Sequence, residues 1–579
     1  MFKSYTDEKN VQVIISLLKQ NNISKIIVSP GATNVTFVRS IQYDSFFEIY
    51  SAVDERSAAY MACGLAAESG EPVVISCTGA TASRNYIPAL TEAYYRKLPI
   101  LAITSTQSVS RVGHHIAQVI DRSSIQNDIA KLSVTLPIVK DDEDLWECEV
   151  QVNKAILELK RHGGGPVHIN SPTNYCSSYN TKELPKFRAM DRIDIMSRFP
   201  ELPKGRIAIF VGAHETMSLQ LTKVIDQFCA SNNAVVFCDH TSGYKGKYRV
   251  LYSLCAGQNM FDKEANRPDV LIHIGEVTGD YYTTKNIGKE VWRVSKDGEI
   301  RDTFRKLSYV FEMPEEYFFE HYSNNGITVS NSYYTHCKKQ LEELYNKLPE
   351  LPYSNIWVAS KIAHKIPDNS TIHFGILNSL RSWNFFELPS SVLSTSTVGG
   401  FGIDGGVSSL VGASLSDENK LYFGILGDLA FFYDMNAIGN RHISNNLRIM
   451  LVNNGKGTEF KLHTAAGNFG DKTDDYIAAA GHFGSKSPDL VKFYAKSLGF
   501  DYMSASSKDE FNNVYNVFLS SKPVDKSIIF EVFTNSEEES NALELMMNIE
   551  ENTKGKAKQI AKQLLGKKGI SSIKKLVSK

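Results

Sequence analysis

The sequence predicts an α/β protein made of three doubly wound parallel-sheet domains. Three observations carry that reading. Short apolar runs such as Ile26-Ile27-Val28, Val73 to Cys77 and Leu447 to Val452 alternate with longer segments of helical character. The runs end repeatedly at Gly, Pro or Asn-Gly turns, as parallel strands joined by helical crossovers require. The chain has 579 residues, 42% hydrophobic and 22% charged, an ordinary globular composition long enough for three or four domains.

The first domain is placed at residues 1–180. Val11 to Gln20 is amphipathic and reads as a helix. Ile26 to Val28 is a buried strand closed by Ser29-Pro30-Gly31, and Phe46 to Tyr50 is a second strand. Ala58, Ala59, Ala62, Gly64 and Ala66 then suit a helix packed tightly against a neighbour. Val73 to Cys77 is a strand that leads into a turn at Gly79, residues 85–96 form a helix, and Ile100 to Thr104 form the next strand. Residues 181–200 read as a polar linker.

A second alternation gives a central Rossmann-like domain over 195–345, with strands at 207–213, 234–238 and 269–275. Gly212-Ala213-His214 and Gly275-Glu276 are too weak a pattern for a dinucleotide site, and no flavin signature is present, so this domain reads as structural. Residues 345–354 are Pro-rich and form a second linker. The third domain covers 355–550. It has a strand from Ile372 to Gly375, a turn at Leu377-Asn378-Ser379, and a glycine run from Gly399 that opens a small-residue helix.

Within it lies the most informative stretch. A strand from Leu421 to Leu426 ends at Gly427-Asp428, a helix follows from Phe431 to Ile438, and a strand from Leu447 to Val452 ends at Asn453-Asn454-Gly455. Open α/β sheets bind ligands at such carboxyl ends. Asp428 and Asn454 offer hard oxygen donors, and the glycines let backbone approach an anion, which suits Mg2+ holding a diphosphate. On these residues alone an ordinary strand-helix-strand turn remains open.

Bulk properties exclude several classes. The net charge of -1 gives no global basic footprint for nucleic acid. The eight cysteines form no CxxC pair, which argues against a zinc or disulfide framework and predicts a reducing cytoplasm. No signal peptide or transmembrane stretch is evident in the sequence. Residues 553–579 depart from this balance. They hold nine Lys and no acid, so the remainder carries about -10. Apolar residues at helical spacing there predict either a solvated tail or a basic amphipathic tail able to touch an anionic membrane surface.

The spacing of Gly427-Asp428 and Asn454, with Asn454 standing 26 residues after Asp428, resembles the diphosphate signature of thiamin-diphosphate-dependent enzymes. SPG at 29–31, DERSAAYMACGLA at 54–66, CTGATASRNYIPALTEAYY at 77–95, GPVHINSP at 165–172 and FGIDGGVSS at 401–409 are similar to the menaquinone-pathway synthase family. Its members decarboxylate 2-oxoglutarate and add the succinyl carbanion to isochorismate. The resemblance implies thiamin diphosphate and Mg2+ as cofactors. It implies Asp428, Asn454 and the Lys456 carbonyl as metal ligands, and Glu55 as the acid on the aminopyrimidine that generates the reactive carbanion. It further implies cofactor contacts at Gly31, Thr78, Gly79, Asn378, Ser379, Gly427, Leu429, Ala430 and Gly455, with Ile403 as a wedge beneath the bent cofactor. Leu429 stands where the usual signature has Gly. His114 and His115, similar to a pair in pyruvate-decarboxylase-type enzymes, and Gln118 are implied to handle substrate and protons. A homodimer or dimer of dimers is implied, because the family builds one site from two subunits.

Departures from the family pattern concern substrate. Ala32-Thr33 stand where the family has Ser-Arg, Val398 replaces an expected Arg, and Glu459 replaces an apolar residue. Arg clamps bind carboxylates in bidentate fashion, which neutral side chains cannot. Arg84 and Arg381 are candidate replacements, neither at the matching position. The sequence therefore predicts a 2-oxoacid decarboxylating carboligase with altered substrates, not the menaquinone-pathway reaction itself. A simple decarboxylase releasing an aldehyde, or an inactive scaffold subunit, are the alternatives.

Overall fold

The computed structural model describes residues 3–122, 124–323, 329–457, 473–481, 487–522 and 524–550. Glu459 and the basic tail at 553–579 lie outside the described residues. The chain divides into one unit of residues 1–199 with 297–312 and a second of 200–296 with 313–579.

The first unit holds a six-stranded sheet of β1 (Lys25–Val28), β2 (Glu48–Ser51), β3 (Val73–Thr78), β4 (Ile100–Thr106), β5 (Leu132–Thr135) and β6 (Val167–Pro172). Its order is β2-β1-β3-β4-β6-β5, with every pairing parallel. Successive residues of one strand feed opposite faces. Val74, Leu101 and Ile103 pack into one core, and Val73, Ile75, Ile100 and Ala102 into the other. A strand buried on both sides needs a continuous apolar run, and these strands have one. The small-residue helix Glu55–Ser69 buries Ala58, Ala59, Ala62, Cys63 and Ala66, and Gly70 closes it with left-handed backbone. The segment read as a linker contains β7 (Asp191–Ile193), which pairs in parallel with β13 (Leu307–Glu312).

The second unit holds β8 (Ile207–Val211), β9 (Ala234–Cys238), β10 (Arg249–Leu251), β11 (Val270–Ile274) and β12 (Glu290–Ser295), in the order β10-β9-β8-β11-β12. It also holds a second six-stranded sheet of β14 (Thr371–Phe374), β15 (Leu393–Ser396), β16 (Tyr422–Gly427), β17 (Leu447–Asn453), β18 (Asp501–Ala505) and β19 (Ile528–Phe533). The order β15-β14-β16-β17-β19-β18 repeats that of the first unit strand for strand. In both sheets the order reverses between the first and third strands, which opens a crevice at their carboxyl ends. The turns after β1 and β3 in one sheet thus correspond to those after β14 and β16 in the other.

Two helix boundaries differ from expectation. The helix after Gly427 begins at Asp428 and gives way to a 3-10 turn at Met435. The helix expected over 85–96 is two, Ala80–Asn85 and Ile87–Tyr95, with Pro88 in the first turn of the second. Proline has no N–H to donate and is tolerated only there.

Candidate active site

The candidate residues of the second unit lie at the carboxyl ends of β14, β16 and β17. β16 carries its buried run to Gly427, and the next helix starts on Asp428. The Asp428 side chain folds back onto backbone. Oδ1 accepts from Leu429 N at 2.8 Å and Oδ2 accepts from Gly455 N at 2.8 Å. The second bond joins the Gly427-Asp428 turn to the Asn454-Gly455 turn. Asp428 is 4% exposed, and among the described residues no basic group is within ion-pair distance of it. Burial lifts its pKa to about 6 against the lowering effect of the backbone N–H groups.

Asn454 is half-buried, and its Oδ1 accepts from Lys456 N at 3.2 Å. The Lys456 ammonium is held aside by Asp474 at 2.7 Å. Ala430 is buried behind Leu429. Across the crevice, Asn378 and Ser379 open the helix Asn378–Trp383, preceded by Leu377 at φ 64, ψ -121. That conformation is strained for a branched side chain, and such strain concentrates at functional turns. Ile403 is half-buried in the 401–405 loop, beside Phe401 at φ 56.

A buried carboxylate without a counter-ion, beside an amide oxygen and a glycine turn, fits a hard divalent cation bridged to phosphate. Two more buried acids belong to this domain. Glu531 accepts from Asn453 Nδ2 at 2.9 Å and Tyr502 OH at 2.8 Å, and Glu539 accepts from Asn355 N at 2.9 Å. Burial lifts them to about 6 and about 7. Sequence reasoning missed both.

The candidate residues of the first unit lie at the ends of β1, β3 and β4. Asp54 is the N-cap of its helix and accepts from Arg56 N and Ser57 N, so Glu55 is not consumed in capping. Glu55 is half-buried, and its Oε2 accepts from Asn85 Nδ2 at 3.2 Å. Gly31 sits against Thr78 so closely that a Cβ on it would lie 2.7 Å from Thr78 Cβ. A Cβ on Gly79 would lie 3.0 Å from the Ser105 carbonyl and 3.3 Å from Arg122 Nη2.

His114, His115 and Gln118 fall on an exposed loop after β4, where His115 (φ 54) and Gln118 (φ 62) both have left-handed backbone. Their side chains make no hydrogen bond among the described residues. The residues at the departed positions serve structure. Thr33 is buried and bonds Thr78 Oγ1 and the Ser105 carbonyl, and Val398 is buried beside Gly279. Arg381 is buried against Tyr281 and Tyr282.

Residues 9–125 match the family described as thiamine pyrophosphate enzyme, N-terminal TPP binding domain. Together with the three parallel sheets, this match supports an enzyme that uses thiamin diphosphate, of the transferase or lyase kind. Among curated proteins it is similar to 2-succinyl-5-enolpyruvyl-6-hydroxy-3-cyclohexene-1-carboxylate synthases. The one from Bacteroides thetaiotaomicron is 29% identical over 566 residues, 93% of this chain and 98% of the relative. That from Phocaeicola vulgatus is 29% identical over 563 residues, with the same coverage of each. That from Christiangramia forsetii is 27% identical over 574 residues, 90% of this chain and 95% of the relative.

These relatives overturn the expectation of a reaction other than the menaquinone-pathway one. They align nearly end to end and carry the name of that synthase. The expectation rested on missing arginines at positions 33 and 398, but a guanidinium need not come from the same position to reach a carboxylate.

Proposed function

We propose that this chain is a 2-succinyl-5-enolpyruvyl-6-hydroxy-3-cyclohexene-1-carboxylate synthase, joining the succinyl unit of 2-oxoglutarate to isochorismate with loss of CO2. The observation that supports this best is the near end-to-end match to synthases of that name. When bound, thiamin diphosphate supplies the nucleophilic carbon and the electron sink for decarboxylation. Glu55 holds and returns a proton at the aminopyrimidine, and Asn85 fixes the orientation of its carboxyl. Asp428, Asn454 and the Lys456 carbonyl hold Mg2+, and the Leu377-Asn378-Ser379 and Gly427-Asp428 turns present backbone to the diphosphate. Thr78 and Gly79 would border the pyrimidine, and Ile403 would pack against the cofactor. His114, His115 and Gln118 sit where an exposed loop can close over substrate and move protons at the acceptor.

Glu55 and Asp428 belong to different units, and Val53, Tyr60 and Met61 beside Glu55 are 84%, 47% and 47% exposed. An apolar rim around a catalytic acid supports a homodimer or a dimer of dimers. Eight free cysteines, seven of them buried, agree with a cytoplasmic setting. No described helix is long and apolar enough to cross a membrane. The basic stretch at 553–579 would give at most a peripheral contact. The deciding assay supplies 2-oxoglutarate, isochorismate, thiamin diphosphate and Mg2+ and follows CO2 together with coupled product. Both should appear only with both substrates. CO2 with free aldehyde and no coupled product would reject the synthase reading.

A further inference from the structure

The strands β8 to β12 of the second unit, its central sheet, are doubly wound like the six-stranded sheets but lack their open crevice. The order reverses beside β8, which has β9 on one side and β11 on the other. There the loops that follow the strands are laced together by main chain. Glu276 N donates to the Ala213 carbonyl at 2.7 Å, and His214 N donates to the Thr241 carbonyl at 2.9 Å. A Cβ on Gly212 would collide with the Glu276 carbonyl. Protein thus fills the place where such sheets take a ligand. The same loops reach the helix Asn378–Trp383 that follows β14.

The contact centres on His240, which follows β9 and is 1% exposed. Its Nε2 lies 2.9 Å from the Trp383 carbonyl and 3.0 Å from the Phe386 carbonyl. Both neighbours are acceptors, so Nε2 carries the proton and donates to them. The ring stacks on Phe374, the last residue of β14, with centroids 5.3 Å apart. His240 N donates to Asn384 Oδ1 at 3.0 Å, and Ser394 Oγ of β15 donates to the His240 carbonyl at 2.5 Å. The loop is fixed from behind by Asp239, which accepts from Thr241 N at 2.6 Å and from Thr278 Oγ1 at 2.9 Å. The loop after β11 presses on the same helix, since a Cβ on Gly279 would collide with Leu380 Cδ2. Burial, with repulsion from Arg249 and Lys245, pulls the His240 imidazole down to about 3, so the ring is neutral near pH 7. Its Nδ1 is buried with no partner among the described residues. An unpartnered buried acceptor costs stability, and a phenyl ring would fill the same space without that cost. What the imidazole adds is the Nε2–H bridge to two carbonyls.

Leu377 opens the helix Asn378–Trp383 at φ 64, ψ -121, and such strain persists only where the surroundings over-determine it. We propose that His240 is a positioning residue for thiamin diphosphate, holding the far end of this helix and so fixing the Leu377-Asn378-Ser379 turn against the diphosphate. The helix has six residues and rises about 9 Å, so its two ends move as one body. The proposal rests on the reading of that turn as a cofactor contact. It gives the central sheet, whose sequence reads as structural, a part in cofactor binding.

The test titrates the full chain with thiamin diphosphate in the presence of Mg2+ by calorimetry, for wild type, H240F and H240Q. H240F keeps the stack on Phe374 and loses the donor, whereas H240Q keeps a donor. H240F should weaken cofactor binding at least about tenfold, and H240Q should restore it to within about threefold of wild type. A merely structural role would lower the melting temperature of both variants without separating their affinities. At saturating cofactor the KM for 2-oxoglutarate should stay as in wild type. Folded H240F that binds cofactor as tightly as wild type, or H240Q that binds as weakly as H240F, would overturn the proposal. If H240F fails to fold, S394A decides, since it removes one bond to the His240 loop. A several-fold loss of cofactor affinity in S394A supports the proposal, and an unchanged affinity overturns it. Wild type that binds no thiamin diphosphate would overturn the reading of the turn as well, so the two failures are told apart.

Discussion

The two six-stranded sheets share one strand order yet bury ionisable groups of opposite kind in their surroundings. Beyond β3 and β4 the first sheet buries Arg122 with only neutral partners. Beyond and beside β16 and β17 the second buries Asp428, Glu531 and Glu539, none with a basic partner among the described residues. Topology places the crevice in both, and side-chain charge decides what enters it. A buried charge left uncompensated by the protein marks the place where a ligand of opposite sign is due. On this view the acid-rich end suits a bound cation.

The comparison can be broken most directly at Glu55. Glu55→Gln keeps its size and its bond from Asn85 but cannot exchange the proton, so CO2 release should fall by about 10²–10⁴-fold. A decline of only a few-fold, measured at saturating cofactor, would place the acid elsewhere. Asp428→Asn tests the cation end. Mg2+ with thiamin diphosphate should raise the melting temperature of wild type clearly and that of the variant hardly at all, with cofactor affinity down by at least about 100-fold. Equal stabilisation of both would refute Asp428 as a metal ligand.

Glu539 sharpens the same contrast through pH. Burial raises its folded pKa from 4.5 to about 7. The folded chain therefore keeps this proton where the unfolded chain has lost it. The contribution to stability is full below about pH 4.5 and is lost as pH rises through about 7, amounting to up to about 3 kcal/mol. Urea unfolding at pH 5 and pH 8 should show this loss in wild type and a smaller one in Glu539→Gln. The smallest effect is expected at Asn85. Asn85→Ala removes one exposed hydrogen bond to Glu55, so kcat should drop only several-fold, equivalent to about 1 kcal/mol, with KM for 2-oxoglutarate unchanged.

Much of the architecture was legible because parallel strands buried on both faces read as short apolar runs, and Gly427, Asn454 and Gly79 punctuate their ends. The break at Tyr86 was not read, although Pro88 signals a new helix start. The helix Asp142–Glu158 was also passed over, despite Asp141 as N-cap and three acids in its first turn. Arg122, Glu531 and Glu539 carried no such signal. Each is a common charged residue in unremarkable local sequence, and only the tertiary fold buries it. Position-matching also misled. Thr33 and Val398 read as lost clamps; Arg84 was noted as an off-position replacement, whereas Arg122, buried on Thr104 and Asn170, was missed.

The contact between Gly31 and Thr78 constrains the order in which this half-site can change over generations. A Cβ at 31 would collide with both Cβ and Cγ2 of Thr78 at 2.7 Å. A side chain gained at 31 forces residue 78 to shrink or the two turns to move apart, and loss of the Thr78 hydroxyl also discards a partner of Thr33. Three positions on two strand ends are thereby tied together, so that a change at one calls for a change at another.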